Sequence, residues 1–213
     1  MRKGILIVIE GLDGAGKTTI AKWLVDLFNN IGYDALYTYE PTDSLFVKAL
    51  KSYNEFRSAE LDALVYAADR LVHLRNKVLP ALEEGKIVVM DRYYFSSIAY
   101  QGAQGAPIEW VFELNKYVRK PDLAIYIDVK PEIGLMRLSK KEGLSRFPEY
   151  EKLELLRRVR EIYLELVKRG LLILVDGSKE LDTVKSKVLE IIHSAFPFLR
   201  GLNQFSSNPN DSL

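Results

Sequence analysis

A glycine-rich segment near the N-terminus has the residue types and spacing of a phosphate-binding loop. Gly11-Leu-Asp-Gly-Ala-Gly-Lys-Thr18 matches the pattern G-x-x-x-x-G-K-[ST], in which successive backbone N–H groups surround phosphate oxygens. Lys17 is expected to reach the terminal phosphates of a nucleotide, and the Thr18 hydroxyl to complete the coordination of a bound Mg²⁺ ion. The sequence therefore predicts a site for ATP and Mg²⁺ in this segment, built from Gly11, Leu12, Asp13, Gly14, Ala15, Gly16, Lys17, Thr18 and Thr19.

A second group of chemically active residues, Asp91-Arg-Tyr93, follows the apolar run that ends at Met90. An acidic residue that closes a buried strand beside a phosphate loop can hold a magnesium-bound water, and the adjoining arginine can bind phosphate oxygens with two N–H groups. We therefore predict Thr18 and Asp91 as the metal-site residues. A purely structural pair of Asp91 and Arg92 would have the same sequence.

The elements that must position these residues follow an alternation of apolar runs with amphipathic stretches, which is typical of parallel strands joined by crossover helices. The predicted strands, each apolar enough to be buried on both faces, are Ile5–Ile9, Asp34–Tyr39, Ile87–Met90, Leu123–Ile127 and Leu171–Val175. The predicted helices are Thr18–Asn30, Ala59–Glu84, Ile108–Tyr117, Pro131–Lys141, Glu149–Lys168 and Leu181–Phe196. The fold class is therefore α/β with a five-stranded parallel sheet.

The composition limits the partners of the chain. Its 213 residues are 48% hydrophobic, and 30 basic against 29 acidic residues give a net charge of +1. This balance leaves no overall field to attract nucleic acid or a membrane surface. We expect a cytoplasmic protein because neither a membrane span nor a signal-peptide pattern is visible. The absence of cysteine excludes disulfides and thiolate nucleophiles.

Among proteins with a phosphate loop, a small-molecule kinase fits the sequence best. A regulatory GTPase needs an Asn-Lys-x-Asp element to read guanine, and the nearest match, Asn115-Lys-Tyr-Val118, lacks the carboxylate. A large motor or helicase would need a much longer chain. A small-molecule kinase must place an acceptor in line with the phosphate donor and exclude water from both.

Four segments resemble those of the thymidylate kinases, a family of P-loop nucleoside monophosphate kinases. The segments are Glu10–Thr19, Ala67–Arg70, Asp91–Gly102 and Asp128–Arg137. The third, Asp-Arg-Tyr-Tyr-Phe-Ser-Ser-Ile-Ala-Tyr-Gln-Gly, is the most specific. The resemblance implies transfer of the ATP γ-phosphoryl group to dTMP, giving dTDP and ADP in dTTP biosynthesis. It also implies a homodimer formed through the long helices. We predict one kinase domain over residues 1–200, with a short arginine-containing lid at about 138–150 and a disordered tail over 201–213.

The same resemblance assigns a substrate pocket. Tyr66 and Arg70 lie four residues apart on a predicted helix, so they share one face. In the family, an aromatic residue at the first position stacks on thymine and an arginine at the second reads its carbonyl; Tyr66 replaces the usual Phe. Without the family, core packing and a surface charge would be the default interpretation of this pair.

Other pocket residues are implied in the same way. Ser97 and Gln101 are expected at the edge of the base, and Tyr100 beside the sugar, where it would disfavour a ribose 2′-hydroxyl. Asp13 is expected to receive the sugar 3′-hydroxyl, and Arg92 to hold the acceptor phosphate. A polar helix face and a solvent-facing loop residue are the alternative interpretations.

The cation-rich region Arg137–Arg160 is interpreted as a lid that covers the donor. Some family members carry a catalytic arginine in the phosphate loop, where this chain has Gly14 and Ala15, so Arg146 is predicted to supply that charge from the lid. Arg137 is expected near the donor adenine. A solvated helix face with ordinary ion pairs would explain part of this region equally well.

A second departure from the family is Tyr39, where many relatives have an arginine before Glu40-Pro41. Arg92 is then the main predicted ligand of the acceptor phosphate, and Lys48, Lys51 and Arg57 are candidates to compensate. The predicted catalytic residues are therefore Lys17, Arg92, Arg146 and Asp13. Two alternatives stay open: a deoxynucleoside kinase that acts on a 5′-hydroxyl, and a non-catalytic ATP-binding switch.

Overall fold

A computed structural model of the chain describes residues 4–53, 55, 57–139 and 153–202. Its centre is a five-stranded parallel sheet with the order β2-β3-β1-β4-β5. The strands are β1 (Ile5–Gly11), β2 (Ala35–Tyr39), β3 (Ile87–Asp91), β4 (Leu123–Asp128) and β5 (Ile173–Asp176). The predicted α/β class is confirmed, and each predicted strand is present within two residues of its expected bounds.

The central strands are buried as predicted, but the edge strands are not. Every residue of β1 and β3 is buried, because helices cover both faces of the sheet there. In β5, by contrast, Ile173 is 44% and Leu174 38% exposed, and most of β2 is only partly buried. The prediction that all strands are buried on both faces is therefore wrong for the edges, where each strand has a neighbour on one side only.

The helices flank the sheet. They are α1 (Lys17–Asn30), α2 (Leu45–Ser52), α3 (Ala59–His73), α4 (Leu79–Glu83), α5 (Tyr94–Ala103), α6 (Ile108–Leu114), α7 (Pro131–Ser139), α8 (Leu153–Lys168) and α9 (Leu181–Ala195). None of the described helices is both long and apolar enough to cross a bilayer.

The observed helices differ from the predicted ones in several places. The single helix predicted over Ala59–Glu84 is interrupted by a π-helical turn, Leu74–Val78, that separates α3 from α4. The helix α2 was not predicted at all; its N-cap, Ser44, accepts a hydrogen bond from Val47 N. For the helix α5, the sequence offers only the helical spacing of Ser97 and Gln101.

Two predicted segments fall largely outside the described residues. Of the lid at 138–150, only the last two residues of α7 are described. Of the tail at 201–213, Leu202 is described and belongs to the hydrophobic core, with 1% of its surface exposed. The packed part of the chain therefore extends at least to Leu202.

The sheet topology determines where a ligand can bind. The strand β1 pairs with β3 on one side and with β4 on the other. The connection after β1 leads to β2 on one side of β1, whereas the connection after β3 leads to β4 on the opposite side. In open parallel sheets, ligands bind at the carboxyl ends of the strands at such a divergence. Here Gly11, Asp91 and Asp128 end their strands at that position.

Candidate active site

The predicted phosphate loop connects β1 to α1 at the divergence of the sheet. Gly16, the N-cap of α1, has a left-handed conformation with φ of 96°, and an added Cβ would meet no atom within 4 Å. The loop thus ends on a helix N-terminus whose N–H groups and dipole favour an anion. Lys17 is 6% exposed and donates from Nζ to Leu12 O at 2.8 Å, so its side chain folds back along the loop.

The charge of Lys17 is affected by its burial. Burial, together with the nearby Arg92, lowers the pKa of Lys17 to about 8, while Asp13, Asp91 and Glu10 act in the opposite direction. The Nζ atom lies 3.8 Å from Asp13 Oδ1. A phosphate bound next to Lys17 would stabilise the protonated, positively charged form of its amine.

The loop also packs closely against the start of α7. A Cβ added to Gly14, whose φ is 79°, would lie 2.2 Å from Gly134 O. A Cβ added to Gly134 would lie 2.5 Å from Asp13 O. Both positions therefore require glycine so that the two backbones can touch. The contact also brings Arg137 Nη1 within 3.5 Å of Gly14 O, beside the phosphate loop.

A pair of oxygen-bearing side chains fits a magnesium ion. The Thr18 hydroxyl donates to Asp91 Oδ2, which also accepts from Tyr37 OH at 3.4 Å. The other carboxylate oxygen, Asp91 Oδ1, is buried and has no hydrogen-bond partner among the described residues. A buried carboxylate oxygen without a donor is an available ligand for a cation or its bound water.

This pair would hold the metal only together with substrate phosphates. Within residues 4–53, 55, 57–139 and 153–202, the structure contains no cluster of three or more His, Asp or Glu side chains that could hold a metal. Mg²⁺ at phosphate-transfer sites is commonly bound by one or two protein side chains and by the substrate itself. The donor set at Thr18 and Asp91 fits that arrangement.

A cleft of about 470 Å³ opens beside the phosphate loop. The structure brings every residue predicted for the substrate into its lining: Asp13, Tyr66, Arg70, Arg92, Ser97, Tyr100 and Gln101. The sequence predicts no binding role for the five other lining residues, which are Glu40, Pro41, Asp69, Tyr93 and Ser96.

Arg92 joins the phosphate loop to this cleft. Its Nη2 donates to Asp13 Oδ1 and, at 3.4 Å, to Tyr100 OH, while Nη1 donates to Ser96 Oγ at 3.1 Å. Its backbone φ of 70° is unusual for a residue with a side chain and is retained when the surrounding contacts stabilise it. Burial acts to raise the pKa of Asp13, but the charges of Arg92 and Lys17 outweigh it and lower that pKa below its usual value.

At the other end of the cleft, Arg70 is a buried residue, not the surface charge that the default interpretation expected. Its exposed fraction is 2%. It donates to Glu40 Oε2 at 2.6 Å, to Asn115 Oδ1 at 2.6 Å and to Ser97 Oγ at 3.0 Å. These bonds fix the plane of the guanidinium next to Ser97, at the predicted base edge.

The sequence does not predict the roles of Glu40 and Asn115, because their shared partner, Arg70, is distant along the chain. Glu40 also contacts His73, whose Nδ1 lies 3.1 Å from Glu40 Oε1 and whose Nε2 lies 2.7 Å from Thr38 Oγ1. The motif Glu40-Pro41 was the available signal, and Pro41 does line the cleft. Nothing in the sequence around Asn115 indicates a contact with Arg70; its segment is only an incomplete match to the guanine-reading element.

The cations proposed to replace the missing arginine lie elsewhere. Tyr39, at that position, donates to Asp43 Oδ2 at 3.1 Å. Lys48 and Lys51 are exposed on α2, and Arg57 binds Asp62 at 2.6 Å. Among the described residues, the positively charged side chains that line the cleft are Arg70 and Arg92. Of these two, Arg92 is the one that contacts the phosphate loop, so the prediction that the acceptor phosphate binds mainly to Arg92 is compatible with the structure.

The cation-rich region that follows α7 is described only in part. Arg146, the predicted lid arginine, lies outside the described residues. Arg157 pairs with Glu132 at 2.9 Å, and Arg160 binds both oxygens of Asp128 at 2.7 and 2.8 Å. Ordinary ion pairs therefore account for these two arginines.

Comparison with known proteins identifies the family. A family model described as thymidylate kinase matches residues 9–188. A probable thymidylate kinase of Staphylothermus marinus is 58% identical over 191 residues, which cover 89% of this chain and 94% of that protein. A probable thymidylate kinase of Archaeoglobus fulgidus is 46% identical over 191 residues, covering 89% of this chain and 95% of that protein. One of Pyrococcus abyssi is 41% identical over 172 residues, covering 77% and 83%.

These matches confirm the resemblance found in the sequence, and they cover both the phosphate loop and the cleft. The model match includes Asp13, Arg70, Arg92 and Gln101. The parallel sheet agrees with the fold that the resemblance implied. The chain belongs to the thymidylate kinase family.

Proposed function

We propose that this protein transfers the γ-phosphoryl group of ATP to the 5′-phosphate of dTMP, giving dTDP and ADP. The observation that carries the proposal is the contact between Arg92 and Asp13, where the phosphate loop meets the cleft. A donor on the loop and an acceptor in the cleft would meet at this contact. Phosphoryl transfer needs that juxtaposition, because its rate depends mainly on positioning and on neutralising charge.

The residues divide between donor and acceptor. ATP is proposed to bind the phosphate loop, with Lys17 on its terminal phosphates and Arg137 toward its base. Magnesium, held by Thr18 and Asp91 together with the phosphates, would neutralise charge on the donor. Arg146 is proposed to bring a further positive charge to the migrating group.

On the acceptor side, Arg92 is proposed to hold the dTMP phosphate and Asp13 to receive the sugar 3′-hydroxyl. Tyr66 would stack on thymine, while Arg70, Ser97 and Gln101 would read its polar edge. Tyr100 would occupy the space beside the sugar C2′ atom. No general base is needed, since the attacking phosphate oxygen is largely ionised near neutral pH.

A kinase acting on a nucleoside 5′-hydroxyl is less well supported by the cleft. Such an enzyme needs a carboxylate available as a base. In the lining, Glu40 binds Arg70, Asp13 binds Arg92, and Asp69 accepts from Thr42 N at 2.8 Å. Each carboxylate is already bonded to a cation or a donor.

We also propose that two copies associate through α3. Leu64, Leu71 and Val72 lie at positions i, i+7 and i+8 of that helix and are 48%, 45% and 42% exposed. Leu79, at the start of α4, is 37% exposed and extends the apolar surface. Contiguous exposed apolar surface of this kind commonly marks an interface.

Replacing Arg92 tests the proposed function. We expect Arg92→Ala to lower turnover with dTMP by at least about a hundredfold while the circular dichroism spectrum stays unchanged. Arg169→Ala is the matched control, because Arg169 pairs with Glu165 and Glu109 on the surface. Unchanged steady-state rates in the Arg92 variant would contradict the assignment.

A further inference from the structure

Glu10 is a buried carboxylate at the end of β1, and the proposed reaction does not use it. Its exposed fraction is 0%. One oxygen, Oε1, accepts from the backbone N–H groups of Tyr93 at 2.8 Å and Ser96 at 3.2 Å. The other, Oε2, accepts from Ser96 Oγ at 2.6 Å and Tyr163 OH at 2.8 Å. Four donors thus converge on one carboxylate.

The two backbone bonds fix the start of α5. Tyr93 is the N-cap of this helix and makes no side-chain capping bond itself. The N–H groups of the first turn have no partners within a helix, so a carboxylate there is stabilising. Glu10 supplies that carboxylate from the neighbouring strand. The start of α5 is thereby tied to the strand that leads into the phosphate loop.

The bond from the Ser96 hydroxyl connects Glu10 to Arg92. A serine hydroxyl has one hydrogen to donate. Because Glu10 takes that hydrogen, the Ser96 oxygen is left to accept from Arg92 Nη1 at 3.1 Å. The two ends of the guanidinium therefore have different partners. Nη1 donates to Ser96, whose hydroxyl is oriented by Glu10, whereas Nη2 donates to Asp13 and Tyr100.

Given the proposed function, we propose that Glu10 is a positioning residue for Arg92. Acting through Ser96, it holds the Nη1 end of the guanidinium while the Nη2 end exchanges Asp13 for the acceptor phosphate. Asp13 is then released to meet the substrate sugar. Glu10 stays in place behind Ser96, bonded to its hydroxyl.

The ionised form of Glu10 fits this role. An ionised carboxylate only accepts hydrogen bonds, so it can satisfy all four donors, whereas a protonated one would present a hydrogen to them. Burial raises the pKa of Glu10, and the Ser96 bond, the charge of Arg92 and the Tyr163 bond oppose that change. The net change is a raised pKa, so the negative charge beside Arg92 depends on the four hydrogen-bond donors that converge on Glu10.

Glu10→Gln is the most direct test, because it keeps the shape and replaces two acceptor sites with donors. The new amide N–H would point at Ser96, whose hydrogen would then turn toward Arg92 and break the bond to Nη1. We expect dTMP to bind about tenfold more weakly in isothermal titration, as for loss of a hydrogen bond to a charged group. Thymidine, which lacks the phosphate, should bind within about twofold of wild type.

A merely structural role for Glu10 would weaken both ligands alike, and that result would overturn the proposal. So would equal affinity of wild type and variant for dTMP. A double-mutant cycle gives a second readout: in an Arg92→Ala background, Glu10→Gln should have no further effect on dTMP affinity. Additive losses would contradict a route through Arg92.

Two further variants keep the test decisive. If Glu10→Gln does not fold, Ser96→Ala removes the same link, and an unchanged ratio of dTMP to thymidine affinity in that variant would overturn the proposal. Asp122→Asn is the matched control, since Asp122 Oδ2 accepts from Leu6 N at 2.8 Å at the far end of β1. It should leave both affinities unchanged. Wild type that binds dTMP no better than thymidine would instead overturn the proposed function itself.

Discussion

Arg70 Nε lies 2.6 Å from Glu40 Oε2, and both side chains are 3% exposed. This buried ion pair ties α3 to the segment after β2, across the end of the cleft where the base is proposed to bind. Its geometry holds the guanidinium against Ser97 before any substrate arrives. A binding site prepared in this way loses less conformational freedom when the ligand enters.

Breaking this pair should cost stability. Glu40→Gln leaves the Arg70 charge buried without its counter-charge, so we expect the free energy of unfolding in urea to fall by about 3 kcal/mol. Glu113→Gln is the control, because Glu113 pairs with Lys116 on the exposed surface. That change should cost no more than about 0.5 kcal/mol. Equal losses in both variants would contradict the structural role of the buried pair.

Two glycines of the phosphate loop should respond differently to the same substitution. Gly14→Ala places a Cβ 2.2 Å from Gly134 O, so we expect a loss of about 3 kcal/mol in stability from overpacking and backbone strain. Gly16→Ala meets no atom within 4 Å and should cost only about 1 kcal/mol. Its added methyl lies in the open space of the loop, and we expect the KM for ATP to rise. Thermal melts and initial rates separate the two effects, and a reversed ranking of the melting temperatures would count against the observed packing.

The buried lysine predicts a pH dependence of stability. Burial, with Arg92, lowers the pKa of Lys17 to about 8, whereas an unfolded lysine titrates near pH 10.4. Between these values the unfolded chain binds more protons, so stability without nucleotide rises with pH, by roughly 2 kcal/mol from about pH 8 to about pH 10.

Above about pH 10, buried tyrosines act in the opposite direction. Burial raises the pKa of Tyr94 to about 12, so the folded state keeps protons that the unfolded chain has lost. Urea titrations across this range measure both effects. Lys17→Met should abolish the rise below pH 10, and an unchanged rise in that variant would show that another group causes it.

The exposed surface of α3 predicts the oligomeric state. Leu71→Glu places a charge in the middle of the apolar surface formed by Leu64, Leu71, Val72 and Leu79, and it should convert a dimer into a monomer. Light scattering after size exclusion measures the mass directly. Leu174→Glu, on the exposed edge strand β5, is the control and should leave the dimer intact. A monomeric wild-type protein would exclude the proposed association.

The parts of the site that the sequence predicted depend on local spacing. The phosphate loop is fixed by glycines within one short segment. Tyr66 and Arg70 share a face of α3, and Ser97 and Gln101 share a face of α5, because each pair is four residues apart. Parallel topology then brings the ends of β1 and β3 together. These regularities explain why the predicted residues line one cleft.

What the sequence did not predict depends on contacts between distant segments. Arg70 binds Asn115, which is 45 positions away in the sequence. Gly14 of the phosphate loop packs against Gly134 in the first turn of α7. Nothing near Glu10 in the sequence indicates that it caps α5. The exposure of Ile173 on β5 likewise depends on which strand lies at the edge of the sheet. Such pairings follow from how the elements pack, and no single segment contains that information.

The most direct measurement is the identity of the product formed from a panel of acceptors. The protein would be incubated with ATP and Mg²⁺ and with dTMP, thymidine or another nucleoside monophosphate, and the products separated by ion-exchange chromatography. We predict dTDP and equimolar ADP with dTMP, and no transfer to thymidine. Formation of dTMP from thymidine, or nucleotide binding without transfer to any acceptor, would contradict the proposed thymidylate kinase activity.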